Sequence, residues 1–209
     1  MNCIFYLSDV YPDEHFPGDF QDFRDLEGTR FYCAPEAEKR LSQSIHALGP
    51  DGIHHIDLGD YHYLSLLWMR EIREPFSLVL FDHHPDDQPG ALDQGMLSCG
   101  NWVKFARETL PELRELVWYR GPDSREPCAG LPVYVSVDLD VLDRNEFVTD
   151  WDQGSMSAAQ LLARLDRIRR SHRIIGIDVC GGLTRAQGAG DAELEKNARL
   201  RSLLNNSRW

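Results

Sequence analysis

Short apolar runs alternate with amphipathic stretches along the chain. The runs at 2–7 (NCIFYL), 53–58 (IHHIDL), 77–82 (SLVLFD), 115–119 (ELVWY), 133–139 (VYVSVDL) and 174–179 (IIGIDV) have the length and composition of strands. Between them apolar residues recur at helical spacing. A helix is predicted over 35–48, with Pro35 at its first position and Gly49 as its stop. A second covers 62–73, and a third covers 101–116, interrupted by Pro111. Ser157 and Gln160 make a capping box that opens a helix over 158–171, where Leu161, Leu162, Leu165 and Ile168 fall on one face. A final helix covers 191–204. The alternation predicts an α/β fold, a three-layer α/β/α arrangement with a mostly parallel sheet. With no internal repeat, low-complexity tract or long linker, residues 1–209 read as a single domain.

Ligands of such sheets gather beyond the carboxyl ends of the strands. His62 follows the second predicted strand, "DHHPDD" begins where the third ends, Asp138 and Asp140 end the fifth, and "DVCGG" ends the sixth. The polar clusters therefore converge on one edge.

Composition narrows the partners. The formal net charge is −12, from 34 acidic and 22 basic residues, which argues against nucleic acid or an anionic membrane surface. Arg164, Arg167, Arg169 and Arg170 share one predicted helix and read as a solvated face rather than a phosphate patch. No stretch approaches the length of a membrane span, and the N-terminus reads as a strand rather than a signal peptide. The five cysteines are scattered and form no C-x-x-C pair, which fits a reducing cytoplasm. Cys99 and Cys180 lie near the expected site but read as small buried apolar residues.

Between 82 and 87 stand three aspartates and two histidines, and like charges so close are costly unless something cationic sits among them. A salt-bridging side chain or a metal would serve. In "VYVSVDLDVLD" the strand period puts Tyr134, Ser136, Asp138 and Asp140 on one face, if the strand persists that far. A calcium loop is excluded, because Leu142 and Asp143 occupy positions that need a third carboxylate and a glycine. Asp82, His84 and Asp86 are spaced by two, and mixed imidazole and carboxylate donors suit manganese, zinc or iron. Six candidate ligands, His62, Asp82, His84, Asp86, Asp138 and Asp140, are too many for one ordinary site and suit two metals sharing carboxylates. Such a pair lowers the pKa of a water between them and stabilises charge in hydrolysis. His54, His55 and His83 read equally well as strand or core residues.

These segments resemble the arginase/agmatinase (ureohydrolase) superfamily. Its G-G-D-H-S, D-A-H-x-D and S-x-D-x-D-x-x-D-P motifs are similar to "GDYHY" (59–63), "DHHPD" (82–86) and "SVDLDVLD" (136–143). Shorter echoes are "SCGN" (98–101), "YRG" (119–121) and "GSMS" (154–157), so the likeness spans about 52 to 182. The resemblance implies two Mn2+ per chain. His62, Asp82, Asp86 and Asp138 would hold one, and Asp82, His84, Asp138 and Asp140 the other. It also implies a small-molecule substrate touching Ser98 and Asn101, a role for Asp86 beside the attacking water, a supporting role for Asp178, and a homo-oligomer.

The departures are specific. Tyr61 replaces an aspartate, Arg144 replaces a proline, and Trp102 stands where a histidine is expected. The family's D-x-x-E after the last strand is Asp178-Val179-Cys180-Gly181, so the glutamate that anchors a guanidinium is a glycine. The expectation is a binuclear manganese hydrolase of a guanidine, amidine or amide C–N bond, with arginine itself disfavoured. Two alternatives remain. One is a non-catalytic metal-binding protein of this fold. The other is a manganese phosphoesterase of the DHH type, although those place an aspartate-rich segment ahead of DHH and here Asp138 and Asp140 follow it.

Overall fold

The computed structural model describes residues 2–11, 14, 17–89, 95–121 and 125–207. In chain order the elements are β1 (Cys3–Tyr6), β2 (Asp19–Asp22), β3 (Tyr32–Cys33), α1 (Pro35–Leu48), β4 (Gly52–His55), α2 (Leu64–Met69) and β5 (Phe76–Phe81). They continue with β6 (Leu97–Ser98), α3 (Trp102–Thr109), β7 (Leu113–Tyr119), β8 (Val133–Asp138), α4 (Ala158–Ser171), β9 (Ile174–Cys180) and α5 (Asp191–Asn206). Single 3-10 turns follow β4 at Gly59–Tyr61 and β8 at Leu139–Val141.

Seven strands form one sheet in the order β2-β1-β4-β9-β8-β5-β7, and every pairing in it is parallel. β5 and β8 are buried at every position, as strands covered on both faces must be. Their alternation splits the core. Leu78 and Leu80 point into a cluster with Leu41, Ile45, Trp68 and Trp102 under α1, α2 and α3. Val79 and Phe81 point into the opposite cluster, with Leu161, Leu165, Ile168 and Leu204 of α4 and α5. This is the expected three-layer α/β/α architecture.

Each predicted strand is present, and α1 and α4 begin and end at the predicted residues. Pro35 stands at the first position of α1 and Gly49 caps it, while the Ser157–Gln160 capping box opens α4. The other helices differ. The stretch 62–73 shrinks to Leu64–Met69, because the chain leaves β4 through a 3-10 turn. The stretch 101–116 stops at Thr109, and Leu113 already belongs to β7. The arginines of α4 are ion-paired. Arg164 and Arg167 meet Glu126, and Arg169 and Arg170 meet Asp166.

α5 secures the edge on which the polar clusters sit. Its Arg201 is buried, donates to Glu14 through Nε and Nη2, and donates from Nη1 to the carbonyl of Gly181 at 3.1 Å. The guanidinium lies over Tyr11 and Phe147, 5.1 and 5.3 Å from the ring centroids. A buried charge of this kind is tolerable only when paired and hydrogen-bonded. Among the described residues no helix is long and apolar enough to cross a membrane.

Candidate metal centre

Because the sheet is parallel, the segments that follow β4, β5, β8 and β9 emerge on the same edge, and the six candidate ligands meet there. His62 caps the turn after β4, and its Nε2 lies 2.8 Å from Ser136 Oγ, which donates to Asp178 at 2.7 Å. This anchoring gives Asp178 its supporting place and leaves His62 Nδ1 facing three carboxylates. Nδ1 is 3.0 Å from Asp86, 3.3 Å from Asp82 and 3.6 Å from Asp138. On the other side of Asp82, His84 Nδ1 lies 2.8 Å from Asp140 Oδ2. Donor atoms of His62, Asp82 and Asp86 form one compact group and those of Asp82, His84 and Asp140 a second, each within 4.8 Å.

Asp140 reaches this position differently from the strand-based expectation. β8 ends at Asp138, whose carboxylate accepts from the Asp140 N–H, and Asp140 projects from the 3-10 turn that follows. Asp86 is held at φ 47°, a left-handed conformation that aspartate tolerates better than most residues. Its carbonyl accepts from Val103 N and its Oδ2 from Trp102 Nε1 at 2.7 Å. Trp102 was legible only as a departure from a motif, yet it is the residue that orients Asp86.

Electrostatics distinguish the two explanations of the acidic cluster. Burial, then Asp86, push the Asp82 carboxyl well above the usual range, and burial, then Asp140, push Asp138 up to about 7. Burial opposes a charge on His62, but Cys180, Asp82 and Asp86 outweigh it and raise the imidazole. The hydrogen bond to Asp140 raises His84 as well. Among the described residues no arginine or lysine pairs with Asp82, Asp86, Asp138 or Asp140, whose partners of opposite charge are the two histidines. Asp82 Oδ2 is buried and accepts no hydrogen bond. An orphan carboxylate oxygen within a ring of imidazole and carboxylate donors fits a divalent cation, and these groups could hold metal.

Above the cluster lies a cavity of about 390 Å³, a volume typical of small-molecule sites. Asp82, His84, Asp86, Asp138 and Asp140 form its floor. Ser98 and Asn101 line it too, although the Asn101 amide is committed to its own loop, accepting from Ser98 N and donating to Met96 O. Phe31 and Trp151, absent from the sequence-based site, also line the cavity, with ring centroids 6.2 Å apart and planes at 75°. Phe31 adopts φ 62°, a true outlier for an aromatic residue. Trp151 Nε1 donates to the buried Asp60, which also receives Arg30.

The missing glutamate has a structural counterpart. Gly181 has φ 102°, and a Cβ there would come 2.9 Å from Asp138 Oδ1. A side chain at this position would strain the backbone and crowd the cluster. Cys180, expected as a passive apolar residue, is buried but directs its thiol to Asp138 Oδ2 at 3.2 Å. The strand period that places Asp178 toward Ser136 also places Cys180 on the same face, and that was the signal available in the sequence.

No protein-family model matches the chain. It is 27% identical over 198 residues to an uncharacterized protein of Thermotoga maritima, covering 85% of this chain and 78% of that protein. Its structure is similar to arginase from Bacillus subtilis, with a TM-score of 0.66 at 10% identity over 100% of this chain and 99% of the other. It is also similar to a hypothetical agmatinase from Burkholderia thailandensis, with a TM-score of 0.65 at 17% identity over 90% and 68% of the two chains. With its parallel seven-stranded sheet, this chain is a divergent example of the arginase/agmatinase fold.

Proposed function

We propose that this chain is a cytoplasmic binuclear metal hydrolase of the manganese-dependent kind, cleaving a non-peptide C–N bond in a small molecule other than arginine. The observation that carries the proposal is the pair of donor groups sharing Asp82 on the floor of one cavity. His62, Asp82, Asp86 and Asp138 would hold one ion, and Asp82, His84, Asp138 and Asp140 the other. When bound, two such ions supply an activated water and stabilise the charge that develops in hydrolysis.

The remaining tasks fall to side chains. Asp86, steadied by Trp102, accepts a hydrogen bond from the attacking water. Ser136 and Asp178 fix the orientation of His62. Phe31 and Trp151 flank the substrate, and their apolar faces favour a planar or apolar group beside the scissile bond. Glycine at 181 offers no carboxylate to a guanidinium, so among guanidine, amidine and amide substrates arginine itself is disfavoured.

Elemental analysis of protein purified without chelator, and again after manganese loading, tests the metal centre, with Asp82→Ala as control. Two ions per chain, lost in the control, together with ammonia release from an amide and amidine library, would establish the activity. The Gly181 substitution supports one other reading, a binding protein that keeps its metals without turnover. Stoichiometric metal with no hydrolysis across that library would favour it. Absence of metal would end both.

A further inference from the structure

Cys180 closes β9 as Asp138 closes β8, and the two are register partners on neighbouring strands. One step back in the same register stand Ser136 and Asp178, which hold His62. The face that presents the metal-site carboxylate on β8 therefore presents a thiol on β9. His62, Asp138 and Cys180 each offer a donor atom, and these lie within 4.8 Å of one another. All three residues are buried. The orphaned Oδ2 of Asp82 points into the same space, 3.3 Å from His62 Nδ1.

We infer that Cys180 is a thiolate ligand of the cation held by His62 and Asp138, and that this position prefers zinc, iron(II) or cobalt(II) to manganese. The inference rests on the metal-centre reading above and refines it at one of the two positions. Thiolate is a soft donor that selects zinc and similar ions, whereas carboxylate and imidazole accommodate manganese. The second position, with Asp82, His84 and Asp140, has oxygen and nitrogen donors only and keeps its suitability for manganese. On binding, the S–H bond breaks, the sulfur electron pair goes to the metal, and the proton leaves to solvent. The thiol's present hydrogen bond to Asp138 is then replaced by a shared ion.

Cobalt(II) loading of the intact chain tests this directly. Wild type should show a near-ultraviolet sulfur-to-cobalt charge-transfer band. Cys180→Ser should lose the band, while Cys99→Ser, which alters the thiol that lines the cavity, should keep it. X-ray absorption of zinc-loaded wild type needs no variant, and should show a sulfur neighbour at about 2.3 Å. Bound cobalt without the band, a band surviving in Cys180→Ser, or zinc with only light-atom neighbours would each overturn the thiolate while leaving the hydrolase reading intact. A chain that binds no metal at all would overturn both.

Discussion

Trp102 and Asp86 are joined by a 2.7 Å hydrogen bond from the indole Nε1 to Oδ2, the same oxygen that lies 3.0 Å from His62 Nδ1. The indole therefore fixes the one candidate ligand whose backbone sits in a left-handed conformation. Trp102→Phe keeps the ring but removes the donor. Manganese affinity should fall by about 10–100-fold, the usual effect of losing a group that orients a ligand. Chelator-competition titration reads it. Equal affinity in the two proteins would show that Asp86 needs no indole to hold its place.

Asp82 belongs to two of the groups whose donor atoms could hold a metal. Burial and Asp86 disfavour ionisation of the Asp82 carboxyl, a cost that asparagine does not carry, so near neutral pH the metal-free Asp82→Asn variant should be more stable than metal-free wild type by roughly 1–3 kcal/mol. Manganese at 100 times its dissociation constant should stabilise wild type by about 2.7 kcal/mol and the variant by nearly nothing. Denaturant melts with and without manganese measure both effects. A variant that is less stable when metal-free would contradict the electrostatic account of the cluster.

Two buried histidines away from the centre predict acid sensitivity. His54 stacks on Trp68 at 3.6 Å and His55 meets Asn205 at 3.1 Å, and burial pushes their imidazoles down to about 3 and about 4. Both folded values lie below the unfolded one. Their contribution is therefore complete above about pH 6.5 and is lost as pH falls toward the folded values, by at most about 1.4 kcal/mol per pH unit for each. Asp138, raised to about 7, and Asp178, raised to about 6, act in the opposite sense in the metal-free chain. A comparison of wild type with His55→Gln cancels them. Urea melts between about pH 7.5 and about pH 5.5 should show a shallower loss of stability in the variant. Identical slopes would rule out His55 as a source of acid lability.

Trp151 is 36% exposed at the cavity wall and is tethered to Asp60. Trp151→Ala should raise KM for an accepted substrate about tenfold, with a smaller change in kcat, because the ring contributes binding away from the reacting atoms. Trp151→Phe keeps an aromatic face without the tether and should fall between the two. Steady-state kinetics on one hydrolysed amide or amidine would show it. An unchanged KM in the alanine variant would remove the aromatic wall from substrate recognition.

Much of the fold was legible because its boundaries carry local chemistry. Pro35, Gly49 and the Ser157–Gln160 box are helix punctuation that operates whatever surrounds it. β2 was not, since Asp19–Asp22 is mostly exposed at the sheet edge, with Phe20 54% exposed, and lacks the apolar run of a covered strand. The candidate ligands were legible from spacing and strand ends. Phe31 and Trp151 were not, because they come from loops, where no period relates a residue to the site. For Cys180 the expected burial is found, but its contact with Asp138 was not foreseen, for a different reason. Burial and apolar character describe most cysteines well, and only its register opposite Asp138 separates it from them.

β9 lies between β4 and β8, yet it comes last in chain order among the described strands of this sheet. Until residues 174–180 emerge, β2-β1-β4 and β8-β5-β7 are separate half-sheets, each with an open edge that invites mispairing. His62 belongs to the first half, and Asp82 and Asp138 belong to the second. Insertion of β9 brings them within a few ångströms, so a cation shared by His62 and Asp82 would report that the two halves have joined, whereas Asp82, His84 and Asp140 already lie in one half.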